Sequence, residues 1–229
     1  MSVWLPALLG VALGMRHALE PDHLAAVSTL ASEQKNPRAG VLVGILWGLG
    51  HTASLFAVGG TLALLEARMP PRLEQAFELA VAVMVFGLGV RALRQAVREG
   101  TSGAAHVHAH GDGVVHTHTA PASHLHLRRW TFSTRPLLVG VLHGLAGSGA
   151  LTALVLAELP SAGARLAYIG LFGAGSVLGM GALTGLAGLP LSRAAREPRL
   201  AAGVLAVAGI VSLVVGAWWG FESASHLLA

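Results

Sequence analysis

Six long apolar stretches dominate this 229-residue sequence, and each approaches the ~20 residues that carry a helix across a bilayer. Charged residues make up only 11% of the chain, compared with about 25% in an ordinary soluble domain. Cysteine is absent, which excludes a disulfide scaffold and a Cys-ligated zinc or iron–sulfur site. Because lipid cannot satisfy free backbone groups, we predict an all-α polytopic membrane protein whose six transmembrane helices cover 3–19, 39–65, 73–97, 136–159, 164–189 and 200–221.

The basic residues are divided unequally between the two sets of loops, and this imbalance predicts the orientation of the chain. Three arginines fall in the second and fourth loops, whereas eleven basic residues fall in the first, third and fifth. We therefore predict a protein of the cytoplasmic (inner) membrane with the richer set inside and both termini outside. The three are Arg68, Arg72 and Arg165; the eleven are Lys35, Arg38, Arg91, Arg94, Arg98, Arg128, Arg129, Arg135, Arg193, Arg196 and Arg199.

The amino-terminal span carries a proline near its middle. Its apolar character resumes after Pro21 and continues over 24–30. Proline lacks the backbone N–H of a helix interior and bends or breaks the helix there, so we predict a first helix broken near Pro21. No lysine or arginine precedes this span, and we do not interpret it as a cleaved signal peptide.

The sequence resembles two halves of three spans each. An odd number of spans per half makes the second repeat inverted in the membrane, which is a common architecture of secondary transporters. We predict one repeat over 1–98, a cytoplasmic loop over 99–134 and a second repeat over 135–229. The alignment pairs Gly14 with Gly140, His17 with His143, Asp22 with Ser148, and 48–51 with 173–176.

Five ionisable residues lie within the apolar spans at similar predicted depth. Such residues are costly in a membrane, and each one needs a reason. One interpretation is that the histidines only form hydrogen bonds between helices. We favour the other, a metal site, because imidazole nitrogens with a carboxylate and no thiolate suit nickel, cobalt, zinc or copper. The predicted ligands are His17, Asp22, His23, His51 and His143. Next to them, Arg16 and Glu20 are interpreted as a structural ion pair.

The loop between the halves is rich in histidine. Seven histidines stand among Gly, Ala, Ser, Thr and Pro, several of them spaced by two residues. Such a segment cannot bury a core, so we predict a disordered loop. Tracts of this kind are typical of weak, multivalent metal binding, although an inert linker is the alternative. The residues are His106, His108, His110, His116, His118, His124 and His126.

Three motifs carry a resemblance to a known family. His17-x4-Asp22-His23 resembles a signature of the nickel/cobalt transporter superfamily, and Gly50-His51-Thr52 resembles the motif of its second conserved span. The stretch 142–150 is similar to the motif of the six-span UreH-like branch, and the histidine-rich loop resembles that of the NicO branch. The resemblance implies a permease for Ni²⁺ or Co²⁺ in which His17, Asp22, His23 and His51 bind the ion, and it extends to His143.

We accordingly predict a secondary permease and not an enzyme, with Ni²⁺ or Co²⁺ as the transported ion and no prosthetic group. No nucleotide-binding signature of the Walker type is present, and the membrane potential favours uptake of a divalent cation. The resemblance suggests cytosolic nickel-delivery proteins as partners, and no nucleic-acid motif is present. Two other functions remain open at this point: an intramembrane zinc metalloenzyme and a membrane-bound metal sensor or chaperone.

Overall fold

The computed structural model describes residues 4–32, 37–101, 108–109, 115–116, 124–127, 130–194 and 197–228. These residues form eight α-helices, a π-helical turn and four short strands. The helices are α1 Trp4–His17, α2 Pro21–Ser32, α3 Pro37–Ser54, α4 Gly60–Leu64, α5 Pro71–Thr101, α6 Arg135–Glu158, α7 Ala162–Ala194 and α8 Pro198–Leu228, and the π-helical turn Leu55–Gly59 joins α3 to α4.

Five helical segments in the described part of the chain are long and apolar enough to cross a membrane. They confirm the prediction of an all-helical, multi-pass membrane protein. Four of them coincide within two residues with predicted spans, and the last begins one residue before the predicted span 200–221 and continues seven residues beyond it. They are Arg38–Leu64, which includes the π-helical turn, Pro71–Arg98, Arg135–Glu158, Ala162–Leu189 and Arg199–Leu228.

The amino-terminal span is split into two short helices, as the proline predicts. Helix α1 has 14 residues and α2 has 12, so neither crosses a bilayer alone. A tight turn follows α1, in which the Glu20 N–H donates to the His17 carbonyl oxygen at 3.0 Å. Pro21 is then the first residue of α2, where its missing N–H costs nothing. Together the two helices are compatible with a sixth, broken span.

Short strands lie in the segment between the two groups of helices. Strand β1 (His108–Ala109) pairs with β2 (Val115–His116), and β3 (His124–Leu127) pairs with β4 (Trp130–Ser133), both antiparallel. The other residues between Thr101 and Trp130 lie outside the described residues, and the predicted disorder of the loop stays a prediction for them.

Helices α1 and α7 touch backbone to backbone at two glycines. A Cβ added to Gly14 would fall on the carbonyl oxygen of Phe172, and a Cβ added to Gly175 would fall on that of Val11. Small residues allow this close approach of membrane helices.

Helices α3 and α6 meet in the same way. A Cβ on Gly140 would fall on the carbonyl oxygen of Trp47, and a Cβ on Gly50 would fall on that of Leu137. We call the α1–α7 and α3–α6 contacts the two glycine seams.

The two glycine seams correspond under the alignment proposed from the sequence. Gly14 and Gly140 each meet the carbonyl oxygen that lies four residues before Ser176 and His51, respectively. The remaining pair, Gly50 and Gly175, meet equivalent carbonyl oxygens of α6 and α1. This correspondence is compatible with the predicted repeat, and each seam joins a helix of one half to a helix of the other.

Candidate metal centre

The structure brings all five predicted ligand residues to one place near the break between α1 and α2. The ring centroids of His17 and His23 are 4.5 Å apart, those of His17 and His51 are 5.0 Å apart, and those of His23 and His143 are 4.7 Å apart. His51 is the central residue of the span Arg38–Leu64. The cluster therefore lies near the middle of this span.

Two overlapping groups within the cluster have the spacing that a metal ion needs. His17, His23 and His51 form one group, and Asp22, His23 and His143 form the other. In each group the three ligand atoms lie within 4.8 Å of one another. His23 belongs to both groups, so the two groups share one ligand candidate.

Four of the five residues of the cluster are buried, and the side chain of His17 is 15% exposed. His51 is 0% exposed, His23 1%, His143 2% and Asp22 5%. Buried polar atoms in proteins nearly always have a hydrogen-bond partner. Here both ring nitrogens of His51, and the Nε2 atoms of His17, His23 and His143, find none among the described residues.

Backbone and carboxylate contacts fix how two of the ligand candidates face the cluster. The Nδ1 of His143 donates to the carbonyl oxygen of Val139 at 3.0 Å, which leaves Nε2 as the basic nitrogen. That Nε2 is 3.6 Å from Oδ2 of Asp22, and Nδ1 of His23 is 3.0 Å from Oδ1 of the same carboxylate. Asp22 lies in the first turn of α2, where the helix dipole favours a negative charge.

The carboxylate of Glu20 contacts the cluster in a way that the sequence analysis missed. Its Oε1 lies 3.0 Å from Nδ1 of His17, whereas we had paired Glu20 with Arg16. A carboxylate on one ring nitrogen orients a histidine and makes its other nitrogen a better ligand. Glu20 follows His17 by three residues, a spacing that allows a contact on a helix, but its direction depends on the turn after α1.

Two aromatic side chains that we did not single out form the wall of the cluster. The ring of Trp47 stacks on His23 with centroids 5.4 Å apart, and Phe172 lies 5.3 Å from His17. Trp47 precedes His51 by four residues, the spacing that puts two side chains on the same face of a helix.

Of the five predicted ligand residues, one belongs to the carboxyl-terminal half, His143. Ser176 and Ser148 occupy the positions that align with His51 and Asp22. Both serines are fully buried, and their hydroxyls donate to backbone carbonyls of their own helices. The two halves thus share the glycine contacts between helices, but serines replace two of the predicted ligand residues in the second half.

A comparison with family models finds a match to NicO, described as "High-affinity nickel-transport protein", over residues 3–189. The chain belongs to the NicO family. That membership places it among nickel-transport proteins and not among enzymes. The matched residues run from α1 into α7 and include all five ligand candidates.

The chain is also similar to several curated relatives. The Urease accessory protein UreH of Bacillus sp. (strain TB-90) is 32% identical over 208 residues, which is 91% of this chain and 87% of that protein. The Chloroplast protein FOR GROWTH AND FERTILITY 1 of Arabidopsis thaliana is 27% identical over 94% of this chain and 59% of its own length. A High-affinity nickel transport protein of Cupriavidus necator is 28% identical over 34% of this chain and 22% of its own. No solved structure matches the chain.

We expect Glu20→Gln to weaken nickel binding to this NicO protein about tenfold, the lower end for losing a carboxylate that orients a histidine ligand. The amide still fits beside His17 but carries no charge. Equilibrium dialysis of the purified protein against ⁶³Ni²⁺ measures the change. Glu197→Gln, at the amino-terminal end of α8, is the matched control. Equal affinities for Glu20→Gln and wild type would show that Glu20 does not orient His17.

Proposed function

We propose that the chain is a secondary permease that carries Ni²⁺ or Co²⁺ across the cytoplasmic membrane. The ion binds at mid-membrane to His17, Asp22, His23, His51 and His143. The observation that carries this proposal is the set of buried ring nitrogens without partners in the described part of the chain, gathered around one buried carboxylate. A divalent cation is the ligand that would give these nitrogens a partner and balance the charge of Asp22.

The donor set supports the choice of ion. Imidazole nitrogen with one carboxylate oxygen suits the later first-row divalent metals. Mg²⁺ binds oxygen and gives up its water reluctantly, so it fits poorly in a closed pocket of imidazoles. Nickel is the ion in the description of the NicO family, and cobalt follows from the similar chemistry of the two ions.

Two irregular helical segments flank the site and support movement around it. The turn after α1 separates His17 from Asp22, and the π-helical turn Leu55–Gly59 begins one turn after His51. Discontinuous helices near the midplane are typical of binding sites in secondary transporters, and π-helical turns are frequent at functional sites. Bending at these places would expose the ion to one side of the membrane and then to the other.

The membrane potential supports uptake as the direction of transport. Moving a charge inward down the potential yields about 2.3 kcal/mol per elementary charge per 100 mV. A divalent cation gains twice that, about 4.6 kcal/mol. Uptake therefore needs no nucleotide hydrolysis, in keeping with the absence of a Walker-type signature from the sequence.

A flux experiment tests the proposal. Purified protein is placed in sealed liposomes that contain a nickel-quenched dye, and a potential negative inside is imposed. Nickel and cobalt are expected to enter, whereas magnesium is not. His17→Ala should slow nickel entry at least about tenfold, while His226→Ala, which removes an exposed histidine of α8, should not. Equal nickel entry with and without the protein would overturn the proposal.

A further inference from the structure

The indole N–H of Trp47 is a buried hydrogen-bond donor next to the metal centre. Trp47 is 0% exposed, and its Nε1 finds no hydrogen-bond acceptor among the described residues. Buried tryptophan N–H groups usually have a partner. The Trp47 N–H is therefore a buried donor whose acceptor is not among the described residues.

Trp47 has little freedom to move away from that position. The seam between α3 and α6 fixes its backbone, because its carbonyl oxygen meets Gly140. Its ring stacks on His23 at an interplanar angle of 23° and meets His143 edge-on, with centroids 5.5 Å apart. The indole thus lies against the two histidines of the Asp22–His23–His143 group.

The chemistry of the indole limits which group can accept a hydrogen bond from Nε1–H. Nε1–H is a donor only and cannot bind a cation, unlike the ring nitrogens around it. A bare metal ion would leave this donor unpaired. A water molecule that remains on the ion has an oxygen to accept the bond, and such bridging waters are nearly as favourable as direct contacts.

We propose that Trp47 is a specificity-determining residue that holds a water molecule on the transported ion. This inference rests on the proposed function. The bound water favours ions that keep more than four ligands, as in the tetragonal geometry of nickel. Zinc prefers four ligands in a tetrahedron, fewer than the five side chains that the proposed function places around the ion. Trp47 thus selects nickel over zinc through the shape of the ion's ligand shell.

The test uses the purified full-length protein and Trp47→Phe, which keeps an aromatic ring against His23 and removes the donor. Cobalt serves as the spectroscopic probe, because its visible absorption bands become stronger as its coordination number falls to four. We expect weak bands in wild type and stronger bands in Trp47→Phe. In liposomes, the ratio of nickel to zinc flux is expected to fall about tenfold, as for the loss of one hydrogen bond.

The wild-type protein provides a test that needs no variant. In water enriched in ¹⁷O, electron–nuclear double resonance of bound cobalt should show a coupled oxygen from water. Trp218→Phe, whose side chain is 69% exposed on α8, is the control for loss of a tryptophan. A bound wild-type ion without a water ligand, or unchanged bands and flux ratio in Trp47→Phe, would overturn this inference and leave the permease intact. Failure of the wild type to bind cobalt and nickel would overturn both.

Discussion

Asp22→Asn is expected to lower nickel flux by about 100-fold or more while the protein still inserts into the membrane. Asp22 is the carboxylate of the Asp22–His23–His143 group and is 5% exposed. Asparagine has nearly the same shape, so the packing of α2 is kept. The negative charge is lost, and a divalent cation among the imidazoles of the cluster would then lack the buried carboxylate that balances its charge. Losing a ligand should cost at least the upper end of the 10–100-fold that second-shell changes cost.

The liposome assay measures this change at equal protein content. Glu222→Gln is the matched control, since it removes an exposed carboxylate from α8 and should leave the rate as it is. Chromatography in detergent shows whether each variant is folded. Nickel entry through Asp22→Asn at the wild-type rate would remove Asp22 from the site and would require another source of negative charge.

Gly140→Val is expected to destabilise the fold by about 3 kcal/mol, the upper end for overpacking a well-packed interior. The new side chain would meet the carbonyl oxygen of Trp47 and the backbone nitrogen of His51. Neither atom can swing aside as the tip of a side chain can. Helices α3 and α6 must then separate, which also pulls His51 away from His143. A shift of this size changes the ratio of folded to unfolded protein more than a hundredfold.

Gly87→Val is the control for this substitution, because a Cβ at Gly87 on α5 meets nothing within 4 Å. Thermal unfolding in detergent, followed by tryptophan fluorescence, compares the two variants with wild type. Gly140→Val should unfold well below the wild-type temperature, and Gly87→Val close to it. Similar unfolding temperatures for both variants would mean that the α3–α6 seam does not limit stability.

The sequence predicts those parts of the fold that follow from local chemistry. The spans come from the length of apolar runs, and the break comes from Pro21. The four histidines were expected to lie close together because they have similar depth in spans that pack into one bundle. They are His17, His23, His51 and His143. These inferences need no knowledge of which helix packs on which.

Features that depend on packing between distant segments could not be predicted in this way. In the sequence, Trp47 is one apolar residue among many in α3. Its contacts with His23 and His143 depend on how α3 packs against α2 and α6. The π-helical turn Leu55–Gly59 has no sequence pattern of its own. Glu20 was assigned to the wrong partner because its direction depends on the turn after α1, which spacing on a regular helix does not describe.

The glycine seams also have a consequence for how the protein is made. Helix α1 packs on α7 and α3 packs on α6. Since α6 and α7 come later in the chain, the first three spans are synthesised before either partner helix. Until then the glycine surfaces of α1 and α3 face lipid, where other helices can approach their backbone. A chain truncated after α5 therefore lacks both partner helices of the glycine seams. Both glycine seams are complete only once α7 has been inserted, and α8 then packs on α5.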